Sequence, residues 1–407
     1  MIREISVKNY KSIVALNMPL GRFNLLIGAN GCGKSNILES IALAAAASAN
    51  KLDREYFDNR GIRFVEPKFM FPAFDDIEAN EIEIVVKEDA KQDLHFNIFY
   101  NETVKPPRWD GGSITLEQIM NKINSASENK TEKIKEPSRL KKKKEQKKAV
   151  DDFYNILEKY KVPDEVRKEI LNIRLIVGKY GPTVISPKQI LQQYQIFSLE
   201  ESRLRTIDND KYIYPLGHRG EGLLPYLKEL SQRDNGAEII KEINENLKLL
   251  DWFDELTIPS GQLSSEVSVR LHDNYLRESL EYFDQRSTNE GFLYLLFYLT
   301  LIISDETPSF FAIENIDASF NPKLCKEVVR RLIQLAKKHN KQIIATTHNP
   351  AVLDALDLED QDVKLHVVRR SVDGYTKINS VELKSKLNMP LSKAWTDGLL
   401  GGLPDNF

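Results

Sequence analysis

Two cysteines in 407 residues, Cys32 and Cys325, are too few for a disulfide framework or a four-cysteine zinc site. No stretch supplies the roughly 18 uninterrupted apolar residues of a membrane span. The opening Met1-Ile2-Arg3-Glu4-Ile5 alternates charged with apolar side chains, where a secretory leader needs an apolar core. Neither sign of charge dominates: 57 Lys and Arg face 60 Asp and Glu, which argues neither for nor against nucleic acid. No internal repeat is visible. Export and membrane spanning are disfavoured, and a reducing cytoplasm is the expected compartment. What is present is ordinary for a globular protein, 41% hydrophobic and 29% charged, and long enough for two or three domains with a sizeable core.

The chain opens with an alternating strand, Glu4-Ile5-Ser6-Val7-Lys8, and a second strand, Phe23-Asn24-Leu25-Leu26-Ile27, runs into a glycine loop. Good helix formers follow from Asn36 to Ala47. Period-two runs at Glu81-Ile82-Glu83-Ile84-Val85-Val86 and Leu94-His95-Phe96-Asn97-Ile98-Phe99-Tyr100 predict neighbouring antiparallel strands in a side sheet. From about residue 110 to 190 the composition turns polar, lysine-rich and helix-prone, which predicts an inserted helical arm between lobes at 1–109 and 191–407. The second lobe holds a long apolar helix from Gly291, a buried strand at Phe310-Phe311-Ala312-Ile313 and an amphipathic helix from Pro322 to Lys338. A strand at Gln342-Ile343-Ile344-Ala345-Thr346 and a hairpin turning at Asp373-Gly374 complete it.

Gly28-Ala29-Asn30-Gly31-Cys32-Gly33-Lys34-Ser35 fits the pattern G-x-x-x-x-G-K-S between a strand and a helix. Its glycines let the backbone curl until N–H groups and the helix N-terminus face phosphates. Lys34 adds a point charge, and the Ser35 hydroxyl suits a magnesium ion bridging phosphate oxygens. ATP and Mg2+ are the expected ligands. Cys32 reads as a small side chain accommodated in the loop, and its modification would inhibit.

A phosphate loop needs acid on a second strand to hold the metal shell from the other side. Leu301-Ile302-Ile303-Ser304-Asp305-Glu306 resembles one but completes the helix begun at Gly291 before Thr307-Pro308 breaks the chain. Ser309 to Ile313 has the length and β-prone residues of a buried parallel strand, so Glu314 is the metal acid. About thirty residues on, Thr346-Thr347-His348-Asn349-Pro350 leaves another core strand at the same sheet edge, where His348 would face the γ-phosphate.

Together Asn9-Tyr10-Lys11-Ser12, the glycine loop, Glu314-Asn315-Ile316-Asp317 and Thr347-His348-Asn349-Pro350 closely resemble the ABC-type ATPase heads of the RecF, SMC and OLD (overcoming lysogenization defect) group. The resemblance implies a P-loop ABC-type α/β head with a mixed sheet, a side antiparallel β-sheet and an inserted helical arm. It also implies a head-to-head homodimer or larger assembly, each nucleotide lying between the phosphate loop of one head and a signature loop of the other. The nucleotide set it implies is Gly28, Asn30, Gly31, Gly33, Lys34, Ser35 and Asn36 with Lys11 and Ser12. Ser35 and Glu314 hold the metal, and Glu314, Asn315, Asp317 and His348 form the catalytic set. Ser287-Thr288-Asn289-Glu290-Gly291 stands where the signature belongs but departs from the usual serine, acid, glycine run. If Gly291 fixes the register, Asn289 replaces the serine that reaches the partner's γ-phosphate, unless Ser287 does so in a shifted loop. Asn315 stands where many members carry a catalytic glutamate; it orients water but cannot take its proton, which implies slow turnover or reliance on His348. No glutamine could be matched to the family's magnesium sensor.

The segment from Ile196 through Arg203 and Arg205 to Leu223, and the closing Trp395-Thr396-Asp397-Gly398-Leu399-Leu400-Gly401-Gly402-Leu403-Pro404, also look like parts of small bacterial members, the latter as a docking tail without chemistry. OLD nucleases carry a TOPRIM domain after the ATPase. Here about sixty residues follow His348, so any nuclease is expected on a separate polypeptide, as in the antiphage systems PARIS and Septu. Arg139-Leu140-Lys141-Lys142-Lys143-Lys144-Glu145-Gln146-Lys147-Lys148 has charge enough for several nucleic-acid phosphates but no interleaved aromatic for base stacking; a solvated helical face or flexible loop is the plainer alternative. Three functions are compatible with these readings: an ATP-driven switch in antiphage defence controlling a separate effector, a RecF-like clamp on duplex DNA, and an ATP-dependent assembly scaffold, which Asn315 favours most.

Overall fold

The computed structural model describes residues 1–63, 65–89, 93–104, 107–113, 187–206, 214–259, 269–277, 282–382 and 389–403. The basic run 139–148 and most of the expected arm lie outside the described residues. Met1–Gly111 with Pro187–Phe407 forms one compact unit; of the second unit, Gly112–Ser186, only residues 112 and 113 are described.

The first unit begins with β1 (Ile2–Tyr10) and β2 (Ile13–Pro19), an antiparallel pair with Tyr10 opposite Ile13. Lys11, at φ 49, makes the turn between them, so the Asn9 to Ser12 stretch is a hairpin and β2 a strand that sequence reading passed over. Next come β3 (Phe23–Ile27), α1 (Lys34–Ala49), α2 (Arg54–Asp58), β4 (Ile82–Glu88), β5 (Leu94–Asn101) and β6 (Arg108–Ser113). After the undescribed stretch follow α3 (Pro187–Gln192), β7 (Ile196–Phe197), α4 (Glu201–Arg205), α5 (Leu223–Ser231) and α6 (Gly236–Leu247). A small meander of β8 (Phe253–Thr257), β9 (Arg270–Asp273) and β10 (Phe283–Asp284), not foreseen from sequence, precedes α7 (Glu290–Ile303). The chain closes with β11 (Phe310–Ile313), α8 (Pro322–Lys338), β12 (Gln342–Thr346), β13 (Val363–Arg370), β14 (Thr376–Ser380) and α9 (Leu391–Thr396).

The core sheet has the order β14-β13-β3-β12-β11-β7, parallel throughout except for β14. A separate antiparallel sheet runs β2-β1-β4-β5-β6. Helix α1 lies between the two. Its residues join one apolar cluster with Val7, Ile84 and Ile98 of the antiparallel sheet and Leu26, Ala312 and Ile344 of the core sheet. A helix enclosed on both sides must be apolar all round and thin, which accounts for the buried run Ala44 to Ala47. Helices α5 to α8 cover the opposite face of the core sheet. With both faces covered, β3, β11 and β12 are buried at every residue, the pattern of a parallel sheet core.

Because β3, β7, β11 and β12 are parallel, the loops leaving Ile27, Phe197, Ile313 and Thr346 emerge at one edge of the sheet, where ligands of open α/β sheets bind. That edge carries the glycine loop, Ser198, Glu314 and His348. Helix α7 ends at Ile303, so the acid pair Asp305-Glu306 follows a helix, as expected, and not a core strand.

One buried titratable group makes the fold sensitive to acid. His366 on β13 is fully buried, its Nδ1 3.0 Å from Ser380 Oγ and its Nε2 without a hydrogen-bond partner. Burial pushes its pKa down to about 4, with Lys364 adding to the effect. The unfolded chain therefore takes up this proton below about pH 6.5 while the folded chain refuses it until near pH 4. Stability from neutral His366 is complete above pH 6.5 and falls by roughly 1.4 kcal/mol per pH unit, about 3 kcal/mol in all, on the way down. Urea unfolding of wild type and His366→Gln from pH 7 to 4 should show wild type losing about that much more stability than the variant; parallel curves would contradict it.

Candidate nucleotide site

The glycine loop is held by close approaches that only glycine allows. A Cβ on Gly28 (φ 150) would sit 2.1 Å from Val368 O, and one on Gly33 (φ 107) 2.1 Å from Thr376 Oγ1. Gly31 (φ 73) faces open space. Gly33 is the N-cap of α1 and offers no side-chain cap, so the first turn's N–H groups stay available to an anion. Lys34 is 8% exposed; its Nζ donates to Gly28 O at 2.7 Å and Ala29 O at 3.1 Å. Burial lowers its pKa, against the opposing pull of Cys32 and Glu314. Cys32 is buried in the loop, which agrees with a packing role. Asn30 and Gly31 form the exposed tip, and Arg370 Nε donates to Gly31 O at 3.1 Å.

A chain of side chains braces the loop from outside. Asn36 Nδ2 donates to Ser12 Oγ at 2.7 Å, Ser12 Oγ lies 2.7 Å from Thr376 Oγ1, and Thr376 Oγ1 donates to Cys32 O at 2.9 Å. Since the Thr376 proton goes to Cys32, Ser12 is the donor between them. Lys11 is turned elsewhere: its Nζ donates to Glu39, one helical turn beyond Ser35. Glu39 is almost fully buried and also receives Arg63 Nε at 2.6 Å and the Tyr10 hydroxyl at 3.3 Å.

At the end of β11, Glu314 Oε1 accepts a 2.6 Å hydrogen bond from Ser35 Oγ, across 279 positions of sequence. Its backbone is fixed by Glu314 N donating to Phe197 O at 2.8 Å. Asn315 follows with φ 51, and its N–H donates to Thr346 Oγ1 at 2.9 Å. Asparagine tolerates this left-handed backbone better than glutamate, so the departure at 315 has a conformational cause. Asp317 Oδ1 accepts from Thr347 Oγ1 at 2.6 Å, joining the loops after β11 and β12. His348 has its pKa lowered by burial and by the charge of Lys34, with Asp317 opposing, so it is neutral at pH 7 and within electrostatic reach of both.

A glycine cradle at a helix N-terminus, a buried lysine and a serine meeting a strand-end acid are parts for binding a nucleoside triphosphate. The profile of the AAA ATPase domain family matches residues 1–353. The chain belongs to that family. This ATPase is similar in fold to the SmcHead bound to the C-winged helix domain of ScpA, at 16% identity with a TM-score of 0.52 over 94% of this chain and 98% of that one. An SMC head domain from Thermotoga maritima gives 16% identity and a TM-score of 0.45 over 94% and 99%. No curated protein matches the sequence. The α/β head with a mixed sheet and an antiparallel side sheet is thereby borne out.

In the ATPase, the stretch Ser287 to Gly291, where a signature is expected, makes its described contacts away from the glycine loop. Asn289 is the N-cap of α7, its Oδ1 accepting from Phe292 N at 2.8 Å. Ser287 Oγ donates to Asp284 Oδ1 at 3.2 Å. A Cβ on Gly291 would lie 2.9 Å from Ser319 O, which ties the start of α7 to the loop after β11. The tail docks on the loop itself: Ala29 N donates to Gly402 O at 2.8 Å. A cleft of about 580 Å3 opens beside Ser35 and Glu314, with Arg63, Ser198, His218 and Arg219 in its walls. Sequence reading missed Thr376, Glu39, Arg63 and these wall residues as parts of the site; Glu39 carried a signal, as the sole charged residue of the helix after Ser35.

Proposed function

We propose that the chain is an ABC-type head that binds ATP and Mg2+ on the glycine loop, hydrolyses ATP slowly, and uses the nucleotide to close on a second copy of itself. The observation that carries this reading is the meeting of Ser35 Oγ and Glu314 Oε1 at 2.6 Å beside buried Lys34. Two hard oxygens so placed suit a small divalent cation that completes its shell with phosphate oxygens and water. Among the described residues, no cluster of three or more His, Cys, Asp or Glu offers a different site. Bound Mg2+ would supply charge neutralisation of the phosphates.

In this reading the N–H groups around Gly28, Asn30, Gly31 and Gly33 form the cradle, and Lys34 trades its two carbonyl partners for phosphate oxygens. Ser12 and Asn36 brace the cradle, and Lys11 holds Glu39 beneath it. Neutral His348 takes a hydrogen bond or proton from the attacking water at a ring nitrogen. Asn315 orients that water, and Asp317 fixes the His348 loop through Thr347. Asn289 spends its oxygen on the helix cap and keeps its amide N–H groups for the partner's γ-phosphate, flanked by Ser287 and by Gly291. Lobes 1–109 and 191–407 supply the loop and the acid respectively, with 110–190 as an inserted arm.

The setting we propose is the bacterial cytoplasm and antiphage defence, with the closed pair holding or releasing a separately encoded effector. The support is the resemblance of Glu314-Asn315-Ile316-Asp317 and the other motifs to the RecF, SMC and OLD group, read with the expectation that any effector lies on a separate polypeptide. A scaffold with little turnover is the second reading, favoured by Asn315. A RecF-like clamp would add duplex binding through the basic run 139–148 that weakens steeply with salt. The test is the mass of Glu314→Gln in solution with and without Mg2+ and ATP. A doubling or larger multiple with nucleotide, reversed on its removal, is expected; an unchanged mass at saturating ATP would sink the switching role.

A further inference from the structure

The segment from α9 to Gly402 joins the glycine loop to the loop that carries His348. One end is anchored just behind the histidine. Asn349 caps a short 3-10 turn over Pro350–Ala355, and Asp354 near the end of that turn holds α9. Its Oδ1 accepts from Ser392 N at 2.9 Å and its Oδ2 from Ser392 Oγ at 2.7 Å. Ser392 N lies in the first turn of α9, where an N–H has no partner within the helix. Trp395 of α9 is buried in one apolar cluster with Val352 and Leu353 of the turn, which fixes the helix against it.

The other end lies on the glycine loop. Gly398 (φ 79) ends α9, with Leu399 N donating back to Ala394 O at 2.9 Å, and Leu400 packs against the core. Gly401 (φ 73) and Gly402 (φ 78) then bring Gly402 O to Ala29 N at 2.8 Å. A Cβ on Gly402 would stand 2.6 Å from Val367 Cγ1 and 3.5 Å from Gly28 Cα, whereas one on Gly401 would meet nothing within 4 Å. Ala29 N–H is not among the amides that cradle phosphate, so the tail braces the loop without competing for the anion. Lys34 Nζ holds Ala29 O at 3.1 Å and leaves it for the phosphates, which gives the Gly402 carbonyl a larger share of the restraint in the bound state.

We propose that residues 391–402 form a strap that fixes the glycine loop relative to the His348 loop, with Asp354 and Gly402 as positioning residues for the bound triphosphate. This rests on the reading of the glycine loop as the ATP site. The strap does no chemistry. It limits how far the two loops part, so less order has to be imposed when ATP binds. Its ends touch different loops and share no partner, so cutting one end should make cutting the other redundant.

The test is a double-variant cycle on Asp354→Ala, which frees the anchor, and Gly402→Ala, which lifts the tail from Ala29. It is read as affinity for a fluorescent ATP analogue with Mg2+, beside the melting temperature without ligand. Each single change should weaken the analogue about tenfold, the scale of one or two lost hydrogen bonds. Independent defects would multiply to about a hundredfold, whereas with the strap already slack the double variant should stay within about twofold of the weaker single one. Gly401→Ala has the same backbone strain without the close contact and should bind within about threefold of wild type. Asp354→Asn can still accept from Ser392 N and can donate to Ser392 Oγ, so it should bind within about twofold of wild type. Should Asp354→Ala not fold, Ser392→Ala removes one anchor bond, and its effect should vanish in the Gly402→Ala background. Wild-type affinity in either single variant, or a hundredfold loss in the double, overturns the strap and leaves ATP on the glycine loop. No binding of the analogue by wild type overturns the nucleotide site itself.

Discussion

Glu314→Gln should retain ATP within about fivefold of wild-type affinity at saturating Mg2+ while phosphate release falls by a factor on the order of 10² to 10³. The side chain keeps its shape, and Ser35 Oγ, now 2.6 Å from Oε1, keeps an oxygen to donate to. What disappears is the negative charge that holds the metal against the developing charge of the transferred phosphoryl group. Binding energy from the cradle and Lys34 is largely untouched, because those groups meet the phosphates from the other side. The pairing of preserved binding with lost turnover separates this role from a structural one. A surface acid at a strand end would change neither quantity, and an acid needed only for folding would lower both along with the melting temperature.

Gly33→Ala should abolish nucleotide binding, with a loss of at least about a hundredfold, near 3 kcal/mol. Two effects add at this position. The backbone at φ 107 is one that side-chain-bearing residues rarely adopt, and the new methyl would lie 2.1 Å from Thr376 Oγ1. Relief requires moving Thr376, which holds Cys32 O and, through Ser12, the side chain of Asn36. Gly31→Ala is the control, since its φ of 73 carries strain of about 1–2 kcal/mol but nothing lies within 4 Å. Titration with ATP should therefore find Gly31→Ala weakened by tenfold or so and Gly33→Ala without measurable affinity. Equal behaviour of the two would mean that the Thr376 contact does not shape the loop.

The parts of this site that can be read from sequence are those built locally. A glycine pattern between strand and helix specifies its own backbone. A short β-prone run ending in Glu314 specifies a buried strand with an acid at its exit. His348 follows from the same logic on β12. The parts that cannot be read are joined only by tertiary packing. Thr376 reaches Ser12 across 364 positions, and nothing in the sequence around Thr376 marks it. Arg63 comes to Glu39 from an irregular stretch after α2. Strand β2 was lost because the turn at Lys11 needs a positive φ that lysine does not advertise. Conversely, Asn315 stood out in sequence as a chemical departure, while its backbone at φ 51 gives the substitution a conformational reason as well. The bounds of the arm expected at 110–190 from the change of composition fall inside described elements: β6 runs on to Ser113 and α3 spans residue 190.

The central claim is that ATP is turned over on Lys34, Ser35 and Glu314. Phosphate release from ATP and Mg2+ by the purified wild type, run beside Lys34→Ala and Glu314→Gln, tests it most directly. Steady release by wild type and none above background in either variant is the predicted result. No ATP binding or release by wild type, or release by Lys34→Ala at the wild-type rate, would contradict it.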